Sequence, residues 1–200
     1  MREYINSSAS SLFMKVGVYG SAAENAPSHI SELAGQVGKE IARRGHTVVT
    51  GGCPGLPQQA VLGAYSEGGK CVAYSPAINF NDHVNRFDFP TVGFTDWVFI
   101  PRSYKHKGDE LICLKYRNVS SVAAVDLGII VGGRTGTMNE FTLLYDWGKD
   151  IGVLEGSGGI TGRAIPILLE DIDKDRGSKI IFDGNPVSLV DRLVVIPRFL

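Results

Sequence analysis

The sequence predicts an α/β fold: a Rossmann-like, doubly wound, mainly parallel sheet with helices on both faces. Short apolar runs without period-two alternation recur at Lys15–Gly20, His46–Thr50, Cys71–Ser75 and Leu127–Val131, as expected of strands covered on both sides. Segments with apolar residues at helical spacing separate them, long enough for right-handed crossovers between parallel strands. Glycine turns follow three of the strands, at Gly20-Ser21, Gly51–Gly55 and Gly132–Thr137. That places all three at the carboxyl edge of the sheet, where ligands of such folds sit.

Each element follows from its residues. After the first strand, Ile30, Leu33, Ala34, Val37 and Ile41 mark a helix entered through Pro27 and Ser28 and closed by Arg43, Arg44 and Gly45. The second strand leads through the turn at Gly51–Gly55 into a helix from Leu56 to about Glu67, stopped by Gly68-Gly69. The third strand ends at Pro76, and residues 77–96 mix aromatics with Asn, Asp and His without a period. A stretch of that length reads as a lid or a subunit contact. Trp97–Ile100 is predicted as a fourth strand, followed by a basic loop over 102–108 and a helix from about Asp109 to Ala124. Beyond the Leu127–Val131 strand, a helix opening at Thr137 carries Met138, Phe141, Leu144 and Tyr145. Gly152–Leu154 is a short strand running into a flexible loop at Gly156–Gly159. Ile165–Leu169 and Lys179–Asp183 read as strands or extended pieces, the former at an edge because of Pro166. Val187–Val195 reads as a short helix before the tail.

Length and charge narrow the function. Two hundred residues suit one well-buried domain, expected over 15–200, with a loose arm over 1–14. Twenty Lys+Arg against twenty-one Asp+Glu leave a net charge of −1, so no global field points to nucleic acid or a membrane surface. No apolar run reaches the roughly 18 residues of a membrane span. Cys53, Cys71 and Cys113 lack paired spacing, so neither zinc nor a disulfide framework is indicated and a reduced cytoplasmic setting is expected. His83 and His106 lack a paired ligand spacing, and Cys53 reads as a small packing residue.

The richest stretch runs from Arg117 to Glu140. A buried strand ends in Gly132-Gly133-Arg134-Thr135-Gly136-Thr137, which delivers a backbone with little side-chain bulk to a helix amino terminus, where free N–H groups and the dipole favour an anion such as phosphate. A bland reading competes: Thr137 and Glu140 fit a T-x-x-E capping box. Arg117, returned to the same edge, exceeds what capping needs. Neither glycine loop matches G-x-G-x-x-G and no acidic residue follows at ribose spacing, which favours a mononucleotide or sugar phosphate over NAD.

The Gly136-Thr137-Met138-Asn139-Glu140 element, the upstream Arg117-Asn118 and the turn from Thr50 to Gly55 resemble the family long labelled possible lysine decarboxylases. Its characterised members are cytokinin-activating nucleoside 5′-monophosphate phosphoribohydrolases. The likeness covers roughly Val16–Gly159. It implies a homodimer that cleaves the N-glycosidic bond of an adenosine monophosphate derivative to base and ribose 5-phosphate. It also implies Arg117 and Glu140 as catalytic pair, phosphate on the Gly136-Thr137 turn, a nucleotide pocket completed by Gly20, Ser21, Thr50, Gly51 and Gly52, and no cofactor; Gly133, Arg134 and Thr135 join the phosphate candidates as members of the same glycine turn. Glu140 would stabilise an oxocarbenium-like ribose, hold its hydroxyls or orient water, while Arg117 would hold phosphate or set the ionisation of Glu140. Four positions depart from the pattern: Gly132 for proline, Arg134 for glycine, Pro57 for methionine and Asn118 for lysine. They mark a divergent branch in which Arg134 either fills phosphate space or adds a fixed charge. Related molybdenum cofactor carriers suggest the alternative, a non-catalytic carrier of a nucleotide or phosphorylated cofactor. A third reading, a single-stranded DNA binder, is disfavoured by the neutral charge.

Overall fold

The computed structural model describes residues 13–23, 25–171 and 176–194. Seven strands, β1 (Lys15–Gly20), β2 (Thr47–Thr50), β3 (Cys71–Tyr74), β4 (Asp96–Val98), β5 (Leu127–Val131), β6 (Asp150–Leu154) and β7 (Ile180–Asp183), form one sheet. All its pairings are parallel and its order is β4-β3-β2-β1-β5-β6-β7. The helices are α1 (Ser28–Arg43), α2 (Leu56–Ser66), α3 (Phe80–Asn85), α4 (Glu110–Ala124), α5 (Thr135–Asp146), α6 (Ala164–Asp171) and α7 (Pro186–Val194), with a 3-10 turn at Gly159–Thr161.

The uninterrupted apolar strands are buried on both faces, as double coverage requires. Val16, Val18, Leu127 and Ile129 pack beneath α1, α2 and α7. Tyr19, Ile130, Ile151 and Val153 pack on the opposite side with Phe141 and Leu144 of α5. β1 is the pivot: the chain winds outward from it through β2 in one direction and through β5 in the other. Such a reversal opens a crevice between the carboxyl ends of the two neighbouring strands. Here Gly20 stands beside Val131.

The structure departs from the sequence reading in five places. The apparently shapeless stretch contains α3, capped at its start by Asn79, whose Oδ1 accepts from the Asp82 amide at 2.9 Å. Its anchor is His83, fully buried, which donates through Nε2 to the Pro90 carbonyl at 3.1 Å and so presents Nδ1 as acceptor to the Ser75 hydroxyl at 2.8 Å. Strand β4 is shorter and earlier than expected, at the sheet edge. Ile165–Leu169 lies in helix α6, because Pro166 falls in its first turn, where no intrahelical N–H is needed. Helix α5 opens at Thr135, two residues early. The loop at Gly156–Gly159 is held rather than flexible, through Ser157. Of the expected N-terminal arm only Phe13 and Met14 are described, the Met14 carbonyl accepting from Thr47 at 2.9 Å; Val195 and the tail lie outside the described residues.

Candidate functional site

The crevice at the β1/β5 reversal holds a cavity of about 240 Å³. Gly20 and Ser21 reach it from the end of β1, Gly51 and Cys53 from the turn after β2, Arg117 and Asn118 from α4, and Arg134, Gly136, Thr137 and Glu140 from α5. Tyr19 lines it as well.

Arg117 points inward from the middle of α4, a helix capped by Asp109 accepting from the Ile112 amide at 3.0 Å. It is only 8% exposed, and its Nε and Nη1 have no hydrogen-bond partner among the described residues. The guanidinium lies so close over Gly51 that a methyl group there would overlap Nη1. Gly51 is thus glycine because an arginine needs its space. Asn118, also buried, ties α4 to the first turn of α5 by donating to Asn139 Oδ1 at 3.0 Å and the Gly136 carbonyl at 3.4 Å.

Glu140 is 6% exposed. Burial pushes its carboxyl up to about 7, against the opposing pull of Arg117 and then Lys115. A buried carboxylate beside a cation that only partly compensates it exchanges its proton near neutral pH. The Cys53 thiol, by contrast, is pushed up by burial despite Arg117, so it is no ready nucleophile. Burial also raises the Tyr19 phenol.

The expected capping box does not form. Helix α5 starts after Arg134 with no side-chain cap, which makes Thr137 its third residue and turns Glu140 inward to the cavity. The amides of Thr135, Gly136 and Thr137 therefore open the helix without carbonyl partners, at the positive end of its dipole. Left-handed backbone is needed only at Gly132 (φ +60°) and Gly133 (φ +93°), whereas Arg134 is extended (φ −134°, ψ −152°) with its side chain exposed. It lines the cavity at its exposed rim. The turn is buttressed from beneath: Ser157 Oγ accepts from the Gly132 amide at 2.8 Å and donates to the Leu154 carbonyl at 2.5 Å, and the Ile160 amide donates to the Gly133 carbonyl at 3.1 Å.

Of the residues singled out from sequence, Gly20, Ser21, Gly51, Arg117, Arg134, Gly136, Thr137 and Glu140 converge on this cavity. Gly133 lines an adjoining cavity of about 370 Å³. Thr50, Gly52 and Thr135 line neither. Thr50 is fully buried and its Oγ1 accepts from the Gly52 amide at 3.2 Å; Gly52 faces Ala73 and His83; Thr135 points to solvent. Tyr19 is a core residue that also lines the site, a dual position that a buried strand-end residue signals only once the sheet order is known. Among the described residues no cluster of three or more His, Cys, Asp or Glu is placed to hold a metal ion, and no helix is long and apolar enough to cross a membrane.

The model of a family described as the SLOG cluster4 family matches residues 13–105. An uncharacterized protein of Archaeoglobus fulgidus is 30% identical over 152 residues, covering 76% of this chain and 87% of that protein. The chain belongs to the same family as this Archaeoglobus protein. The chain also shares its fold with the solved structural-genomics target TM1055, at a TM-score of 0.74 and 21% identity over 91% of this chain and 98% of that one. A second solved neighbour is the molybdenum cofactor binding protein from the phototrophic bacterium Rippkaea orientalis, at a TM-score of 0.67 and 19% identity over 92% and 98% of the two chains. Identities this low speak for the fold alone. The finer likeness to possible lysine decarboxylases is not what these matches establish.

Proposed function

We propose that this protein binds a nucleotide at the β1/β5 crevice and is a phosphoribohydrolase, cleaving the N-glycosidic bond of a purine nucleoside 5′-monophosphate. The observation that carries the reading is Glu140: a buried carboxyl raised to about 7 in the same cavity as Arg117. The phosphate occupies the open start of α5, held by the amides of Thr135–Thr137 with Arg134 at the rim. The ribose lies between Arg117 and Glu140. As the bond from C1′ to the base nitrogen lengthens, positive charge grows on the sugar ring. Ionised Glu140 stabilises it and takes a proton from the water whose oxygen bonds to C1′; the departing base nitrogen receives that proton from Glu140, which returns to its ionised form. Arg117 keeps Glu140 partly ionised at neutral pH, since its charge lowers what burial raises. Lysine decarboxylation has no support here, because among the described residues no lysine lines the cavity. The test is base release from AMP and other purine nucleoside monophosphates, followed by chromatography. Wild type releases base, and Glu140→Gln keeps binding while losing release by at least about a hundredfold. Binding without turnover in the wild type refutes the enzyme.

One observation favours a second reading. The likeness to a molybdenum cofactor binding protein fits a carrier that holds a phosphorylated cofactor in the same crevice without cleaving it. Native mass spectrometry of freshly purified protein separates the two: a retained phosphorylated ligand supports the carrier. A homodimer is part of the first reading, and light scattering tests it.

A further inference from the structure

The 240 Å³ cavity does not end the crevice. Across Ser21 and Arg134, which line both spaces, lies the 370 Å³ cavity. The two differ in chemistry. The first holds Arg117 and Glu140. The second is walled by the side-chain-free backbone of Gly132, Gly133, Gly158 and Gly159, faced by Pro27, Ile30 and Leu56, with Asn25 and His29 on its polar side. Peptide planes opposite apolar side chains make a slot suited to a flat heterocycle. The divide is built for negative charge. The Arg134 side chain is exposed and forms no ion pair with any described residue, the α5 amides open nearby, and Ser21 Oγ accepts from the Ala23 amide at 3.3 Å while keeping its own proton to donate. The buried guanidinium of Arg117, short of partners at Nε and Nη1, adds a second cation on the first side.

Size sharpens the point. Ligand pockets usually span roughly 300–1,000 Å³, so a 240 Å³ space suits one moiety rather than a whole extended ligand. Resting on the crevice being a nucleotide site, we infer that the second cavity is a further subsite through which the crevice also takes a two-part phosphoester. A pyrophosphate or phosphodiester bridges Ser21 and Arg134, a sugar-bearing moiety enters the first cavity, and a heterocycle enters the second. A monophosphate fills only one side.

Titration calorimetry of the purified protein with ribose 5-phosphate, AMP and diadenosine 5′,5″-diphosphate tests this. The pyrophosphate-linked probe is expected to bind on the order of ten- to a hundredfold more tightly than AMP. His29→Trp, which places an indole at the second cavity, brings that ratio close to one; Asn25→Trp plugs the same space from the loop and serves if the helix variant misfolds. Equal affinity of the two adenosine probes in the wild type overturns the inference. So does a plug that weakens AMP in the same proportion, since the second cavity would then belong to the footprint of the monophosphate. Failure of all three probes to bind refutes the nucleotide reading itself. Tight binding of the dinucleotide with none of AMP sustains the subsite and refutes only the monophosphate substrate.

Discussion

Replacing Glu140 by glutamine is expected to make the protein more stable and less active, with a stability gain that depends on pH in a calculable way. In the unfolded chain the carboxyl titrates near the ordinary value of 4.5; in the folded protein burial raises it to about 7. The folded state therefore binds more protons than the unfolded state between these values. Stability contributed by the protonated side chain is fully present below the lower value and is lost as pH rises through the upper one. At roughly 1.4 kcal/mol per pKa unit, folding loses about 2–3 kcal/mol between about pH 5 and about pH 8. Glutamine, neutral throughout, loses none of it. The gap between variant and wild type should thus widen by about 2–3 kcal/mol across that range, equivalent to roughly 5–10 °C in melting temperature for a chain of this size. Burial depresses His46 and His83, which pulls stability the opposite way as pH falls. Both are common to the two proteins and cancel in the difference. Paired thermal and urea melts at the two pH values measure it. A gap that stays constant with pH means Glu140 is ionised throughout, and the acid–base role assigned to it falls.

Further expectations concern single sites. Gly51→Ala collides with the movable end of Arg117, so stability should change by less than about 1 kcal/mol, while loss of that charge from beside Glu140 moves the rising limb of the pH–activity profile upward; an unmoved limb shows that Arg117 does not tune the carboxyl. Arg134→Ala should leave the melting temperature untouched, because the side chain is exposed and unpaired, yet weaken phosphate-bearing ligands about five- to tenfold at low salt and less at high salt, read by calorimetry at two ionic strengths. Ser157→Ala removes the acceptor of the buried Gly132 amide and should cost about 1–3 kcal/mol in urea denaturation, together with weaker nucleotide binding as the turn loses its support.

Much of the architecture was legible because it rests on local patterns. Buried parallel strands read as unbroken apolar runs, and α1, α2 and α4 were visible in their spacing and caps. The failures have physical causes. Ile165–Leu169 is as apolar as a strand, and only its placement over the face carrying Ile130 and Ile151 makes it helical, with Pro166 in the one turn that tolerates it. Helix α3 has too few residues to show a period, and what holds it is a buried histidine bonded to Ser75 and Pro90, groups that no window of sequence brings together. Thr137 and Glu140 matched a capping box by spacing, but the box requires Thr137 to precede the helix, and two further residues of α5 form first.

The chain alone determined that a parallel sheet would form, that three glycine turns would gather on one edge, and that an arginine and a glutamate belonged near them. Period and turn chemistry are properties of neighbouring residues, so they survive without coordinates. Only the tertiary structure decided that Arg117 lies over Gly51, that Glu140 is buried deeply enough to titrate near neutrality, and that Arg134 stands between two cavities. Each depends on the packing of segments tens of residues apart, and burial and distance between such segments set the charge on a side chain.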